Sequence, residues 1–151
     1  MYRLLKTKNR GLSRAVNRFA QDLVRTPSVS LNEGGVADRV EQEMQKLNYD
    51  NVFRDETGNV VGLIEGRAAE PAVLLCTHMD TVPTGDRAAW SEDPYSGRID
   101  GRWLHGRGAA DCKGGLAAQV YSGALLKRSL LPLQGTVIVA ATVYTRHWSK
   151  E

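Results

Sequence analysis

The chain has 151 residues, 42% of them hydrophobic and 25% charged, which is ordinary for one globular domain able to bury its own core. No apolar run approaches the roughly 20 residues of a membrane span, and the basic start MYRLLKTKNRGLSR lacks the apolar centre and small-residue cleavage site of a signal peptide; a cytoplasmic protein is expected. Much of the formal net charge of +3 sits in that segment without a run of stacking aromatics, so it reads as a solvated helix and not as a nucleic-acid arm.

Residues 11–25 place Leu12, Val16, Phe19, Ala20 and Leu23 at helical spacing, and the helix should stop before Pro27, whose preceding residue disfavours the α region. A second helix is expected within residues 32–48, with Val36, Val40, Met44 and Leu47 along one stripe and Asn32 as its N-cap. Short strands follow in DNVFRD and NVVGLIEG, separated by the turn signal TGN. AVLLCT is apolar throughout, as a strand covered on both faces would be, and Cys76 within it reads as a small core residue. SGRIDGRWLHG reads as a hairpin turning at Asp100-Gly101, the stretch from Gly114 to Ser129 as a helix, and GTVIVAATV as another buried strand. Helices near 12–25, 34–47 and 114–128 would then cover the sheet of a three-layer α/β/α sandwich.

Several familiar chemistries are absent from the sequence. GRGAADCKGG has the wrong glycine spacing for a phosphate loop, and no Ser or Thr follows its Lys113. No GxSxG elbow and no HExxH pair occurs. Cys76 and Cys112 form no CxxC pair, so neither a zinc knuckle nor a disulfide is expected.

The remaining candidates are His78, Asp80 and Asp111. His78 and Asp80 stand two apart where the apolar strand ends, and side chains at i and i+2 of an extended backbone point the same way. In open α/β sheets ligands bind at the carboxyl ends of strands. An imidazole that binds metal through one nitrogen commonly offers the other to a carboxylate, so a His-x-Asp pair can supply ligand and orienter together. Taken alone, the pair could equally belong to an idle surface loop. Asp111 lies in a glycine-rich loop just ahead of a helical pattern, where a carboxylate can bridge two metal ions or simply cap a helix.

Taken together, HMDTVPTGDRAAWSEDPYSGRIDGRWLHGRGAADCKGG resembles the signature region of the dinuclear zinc amidohydrolases and exopeptidases. That family includes acetylornithine deacetylase, succinyl-diaminopimelate desuccinylase, aminoacylase and glutamate carboxypeptidase. His-x-Asp-x-Val-Pro, a Trp followed by Asp-Pro, the hairpin Asp-Gly and Gly-Arg-Gly-x-x-Asp-x-Lys-Gly-Gly occur in order, and the looser likeness runs from about residue 12 to residue 143. The resemblance implies a zinc-exopeptidase-like sandwich holding two zinc ions, with cobalt as a possible substitute, that hydrolyses N-acyl amino acids or small peptides. It makes His78 a zinc ligand, Asp111 the bridge between the ions, and Asp80 the catalytic-site residue that holds the imidazole of His78. It implies that the glycines at 106, 108, 114 and 115 shape the loop and that the peptide after Asp111 is cis. Cys112, beside Asp111, could in principle add a thiolate, but the resemblance gives its position no ligand role and it is expected to be a spectator. His105 and Lys113 match variable or loop positions and are assigned no chemistry.

The resemblance also implies consecutive glutamates just after GTVIVAATV, a general base and a zinc ligand, where spacing puts Thr145 and Arg146. Threonine is no general base at neutral pH, and a guanidinium offers a metal no lone pair. Residues 1–143 are therefore expected to be the N-terminal part of a dinuclear zinc hydrolase domain, with 144–151 an aberrant tail whose His147 is not a ligand. The chain alone would be inactive, and substrate identity and oligomeric state cannot be read. The alternative is a non-catalytic α/β pseudoenzyme or interaction module with a partial metal site.

Overall fold

The computed structural model describes residues 2–143; Thr145, Arg146, His147 and the rest of the expected tail lie outside the described residues. In chain order come α1 (Tyr2–Arg25), α2 (Gly34–Lys46), β1 (Asn51–Arg54), β2 (Val60–Ile64), β3 (Val73–His78), a short hairpin of β4 (Ile99–Asp100) and β5 (Trp103–Leu104), α3 (Gly114–Ser129) and β6 (Val137–Thr142). Helix α1 ends at Arg25, two residues short of Pro27, where the sequence demands a stop. Glu33 and not the expected Asn32 takes the N-cap position of α2, without a side-chain bond to the helix; its carboxylate reaches back to accept from the amide of Leu31 at 3.0 Å. No described helix is long and apolar enough to cross a membrane.

The main sheet has the order β1-β2-β6-β3, antiparallel except for the parallel pair β3–β6. Strand alternation sorts its side chains. Val60, Ile64, Val139 and Ala141 face the helices and are fully or almost fully buried with Val36, Val40, Met44, Leu116 and Val120. The chain adopts the expected mixed α/β fold, and its described residues supply the sheet and one helical layer of the expected three-layer sandwich.

One strand departs from expectation. β6 lies inside the sheet as its apolar text requires, but β3 is an edge strand, and no described helix covers the face that carries Leu74 and Cys76. Leu74 is 59% exposed, and Cys76 is exposed and not a core residue. Phe53 and Leu63 share that face with Ile138 by register, and Phe53 is 43% exposed. An apolar run fixes a strand; how many neighbours it acquires is decided elsewhere.

Tyr49 ties the sheet to α3. Its ring lies against Gly62 of β2, and its hydroxyl donates to the carbonyl oxygen of Val120 at 2.6 Å. A methyl group built on Gly62 would stand 2.6 Å from the ring, and one on Gly123 would stand 2.1 Å from the hydroxyl oxygen. Burial raises the Tyr49 pKa well above the usual phenol value, consistent with a neutral hydroxyl committed to one acceptor. Gly123→Ala should cost about 1–3 kcal/mol in urea unfolding through overpacking. Tyr49→Phe removes the atom met first, so the double variant should lose less than the sum of the single changes. Strictly additive losses would show that the phenol does not fill this slot.

Candidate metal centre

The site forms where β3 ends. His78 is the last residue of β3 and pairs in register with Thr142 of β6, so its position is set by the parallel pair at the edge of the sheet. Beyond it, Met79 and Asp80 turn inward and are fully buried. The imidazole Nδ1 of His78 lies 3.2 Å from a carboxylate oxygen of Asp80 and 2.9 Å from the Asp80 carbonyl oxygen. The other carboxylate oxygen of Asp80 accepts from the Ser30 hydroxyl at 2.7 Å. One side of the ring is thereby held, and Nε2 is directed at Asp111 Oδ1, 3.0 Å away.

His78 and Asp80 lie side by side through their short spacing, and the chain fold brings Asp111 to His78 from 33 residues away. The loop that delivers it depends on two glycines. Gly108 has φ +79°, and a Cβ there would meet the Thr81 methyl at 2.4 Å; Gly106 has φ +136°, and a Cβ would meet Val24 at 2.5 Å. A methyl group on Gly114 would crowd the Ala109 carbonyl oxygen at 2.8 Å, whereas Gly115 stands in open space and has no steric need to be glycine. Between Gly108 and Gly114 the chain makes a tight turn closed by the Lys113 amide donating to the Gly108 carbonyl at 2.8 Å, with Asp111 and Cys112 out of helical geometry. The Asp111–Cys112 peptide is cis.

Contacts in three regions escaped the sequence reading. Residues 28–30 run beside residues 79–81: the Ser28 hydroxyl donates to the Met79 carbonyl at 2.8 Å, and the Thr81 amide donates to the Ser28 carbonyl at 2.8 Å. TPSVS had been legible only as a helix stop, and nothing in it marks Ser30 as the partner of a buried carboxylate. Lys113, given no role from the sequence, is completely buried and donates to the Thr26 carbonyl at 2.7 Å, tying the Asp111 turn to the end of α1. Burial lowers its pKa to about 8. Trp90 lies under the Arg107 guanidinium, 5.1 Å from ring centroid to carbon, and the Arg107 amide donates to the Pro94 carbonyl at 2.6 Å. The scattered motif pieces are thus packed on one another.

Asp111 is largely exposed, and its turn with Thr81 and Val82 lines an open cavity of about 180 Å³. His78, Asp111 and Cys112 each offer a donor atom within 4.8 Å of the others. These are donor types that zinc accepts, so the residues present fit such an ion.

Residues 74–143 match the family model described as peptidase family M20/M25/M40. The chain is 36% identical over 142 residues to the uncharacterized protein YgeY of Escherichia coli K12, covering 94% of this chain and 35% of that one. It is 37% identical over 123 residues to a succinyl-diaminopimelate desuccinylase of Cereibacter sphaeroides, covering 80% of this chain and 32% of that enzyme. The chain therefore spans about a third of the length of these relatives. Among solved structures, the YXEP protein of Bacillus subtilis, described as a dinuclear metal binding peptidase from the M20 family, superposes with a TM-score of 0.68 at 17% identity over 89% of this chain and 36% of its own. At that identity the likeness is one of fold.

Ser30→Ala should cost about 1–3 kcal/mol in urea unfolding, because it takes a donor from a carboxylate that is shut away from water. A loss below about 0.5 kcal/mol, the level of an ordinary surface change, would show that Ser30 does not support Asp80.

Proposed function

We propose that this chain, whose residues 74–143 belong to peptidase family M20/M25/M40, supplies one corner of a dinuclear zinc site for hydrolysing amide bonds in N-acyl amino acids or small peptides. The observation that carries this is the line Ser30–Asp80–His78–Asp111, in which the carbonyl and the buried carboxylate of Asp80 both face one ring nitrogen of His78 and the other ring nitrogen faces a second carboxylate. His78 and Asp111 would be the metal ligands, and Asp80 the positioning residue that sets the tautomer of His78. Further support comes from the dinuclear metal binding described for the YXEP protein and from the desuccinylase among the relatives.

When bound, the ions would polarise the scissile carbonyl and activate the attacking water. The chain's own contribution is to orient the imidazole from inside the fold, to hold Asp111 on a turn fixed by Gly108 and Lys113, and to keep the Asp80 carboxylate from solvent. Substrate enters from the side of the open cavity beside Asp111. The cytoplasm is the compartment we propose.

A catalytic zinc site needs a general base besides its ligands and bound water, worth roughly 10²- to 10⁴-fold in rate. The family resemblance gives ligand roles to His78 and Asp111 and a general-base role to none of the described residues. The 151-residue chain by itself should therefore show no zinc-dependent turnover of acetylated or succinylated amino acids above a His78→Ala control. Zinc-dependent turnover abolished by His78→Ala would overturn this, and would mean that another group serves as general base. The second reading, a metal-binding module without catalysis, is favoured by the same lack of a general base among the described residues; it predicts binding with no turnover in any longer form of the protein. Asp80→Asn should weaken zinc affinity by about 10- to 100-fold, read by competition with a chromogenic chelator. Unchanged affinity would remove Asp80 from the site.

A further inference from the structure

We propose that the Cys112 sulfur is a third ligand of this metal site, giving it a mixed nitrogen, oxygen and sulfur donor set that favours soft divalent ions. This rests on the metal site proposed above and adds a residue to which the family resemblance gives no role. The observation is geometric: donor atoms of His78, Asp111 and Cys112 all lie within 4.8 Å of one another. The half-buried Cys112 thiol points back at the end of β3, donating to the carbonyl oxygen of His78 at 3.1 Å.

Neighbouring residues in a regular strand point to opposite faces, so adjacent ligands need an irregular backbone. The turn supplies it, with Asp111 at φ −128°, ψ 90° and Cys112 at φ −138°, ψ 28°. The cage of contacts around the turn leaves that geometry little freedom, since Gly108 packs on Thr81 and Lys113 is anchored on Thr26. On coordination the thiol gives its proton to solvent and binds as thiolate, exchanging its hydrogen bond to the His78 carbonyl for the metal. Imidazole, carboxylate and thiolate together suit zinc, cobalt or cadmium, whereas manganese and magnesium prefer oxygen sets. Three protein donors also leave one position of a tetrahedral ion open.

The test is a titration of the whole chain, under reducing conditions, with cobalt(II) as the probe. Wild type and Cys76→Ser should both develop the near-ultraviolet absorption of thiolate-to-cobalt charge transfer, saturating at one equivalent. Cys112→Ser should lose that absorption and bind cobalt at least about 10-fold more weakly, since even changes around a ligand cost that much. Cadmium should displace the cobalt and equimolar manganese should not. Cobalt bound by the wild type without charge-transfer absorption, or with absorption that survives Cys112→Ser, overturns the proposal. If that binding still disappears in His78→Ala, the His78–Asp111 site stands without the sulfur. No cobalt binding, or binding indifferent to His78→Ala, overturns the sulfur ligand and the metal site together.

Discussion

The carboxylate of Asp80 has no exposure to water, and the arrangement around it follows from that constraint. Leaving a carboxylate unpaired in a dry interior would cost several kcal/mol, on the order of a large part of a domain's net stability. Ser30 and His78 meet this one from two sides. To bring Ser30 there, the chain after α1 must run beside residues 79–81, and it does so through the paired backbone of Ser28 and Thr81. To bring His78 there, β3 must end where it does against β6. The same carboxylate therefore fixes the exit of α1, the end of a strand and the direction of an imidazole.

The turn that carries Asp111 is secured by different physics. Gly108 approaches Thr81 more closely than any side chain permits, and its φ of +79° suits glycine best. Lys113 is buried whole, with its ammonium on a backbone carbonyl at the end of α1. A lysine in that setting is a structural tether whose charge has been made less favourable by loss of water. Both devices act on residues next to Asp111 and leave its carboxylate largely exposed. The Asp80 side of this cluster is thus dry, and the Asp111 side is open to solvent.

Much of the fold was legible from periodicity. The register of Val36, Val40 and Met44, the stop before Pro27 and the start of α3 at Gly114 follow from local rules, and each is found. β3 shows where those rules end. Val73 and Leu74 are as apolar as the buried strand β6, yet β3 lies at the sheet edge and both are more than half exposed. Apolar composition records the surroundings a strand is suited to, and strand order belongs to the whole sheet. Gly62 and Gly123 likewise read as weak points of a strand and a helix, and only packing shows that together they make room for Tyr49.

For the candidate site, the sequence by itself determined the residue types and their local spacing: a histidine and an aspartate at alternating positions of a strand end, and a second aspartate in a loop whose glycines allow a tight turn. Those are properties of residue type and short spacing, which local backbone geometry fixes. The tertiary structure decided what spacing along the chain cannot carry. It put Nε2 of His78 at 3.0 Å from Asp111, chose Ser30 out of an unremarkable helix stop to support Asp80, buried Lys113 under the turn and swung the sulfur of Cys112 toward the same point. Each of these joins residues 33 or more positions apart, or depends on a backbone bend outside regular structure. Such contacts exist only once the sheet and its helices have closed around them.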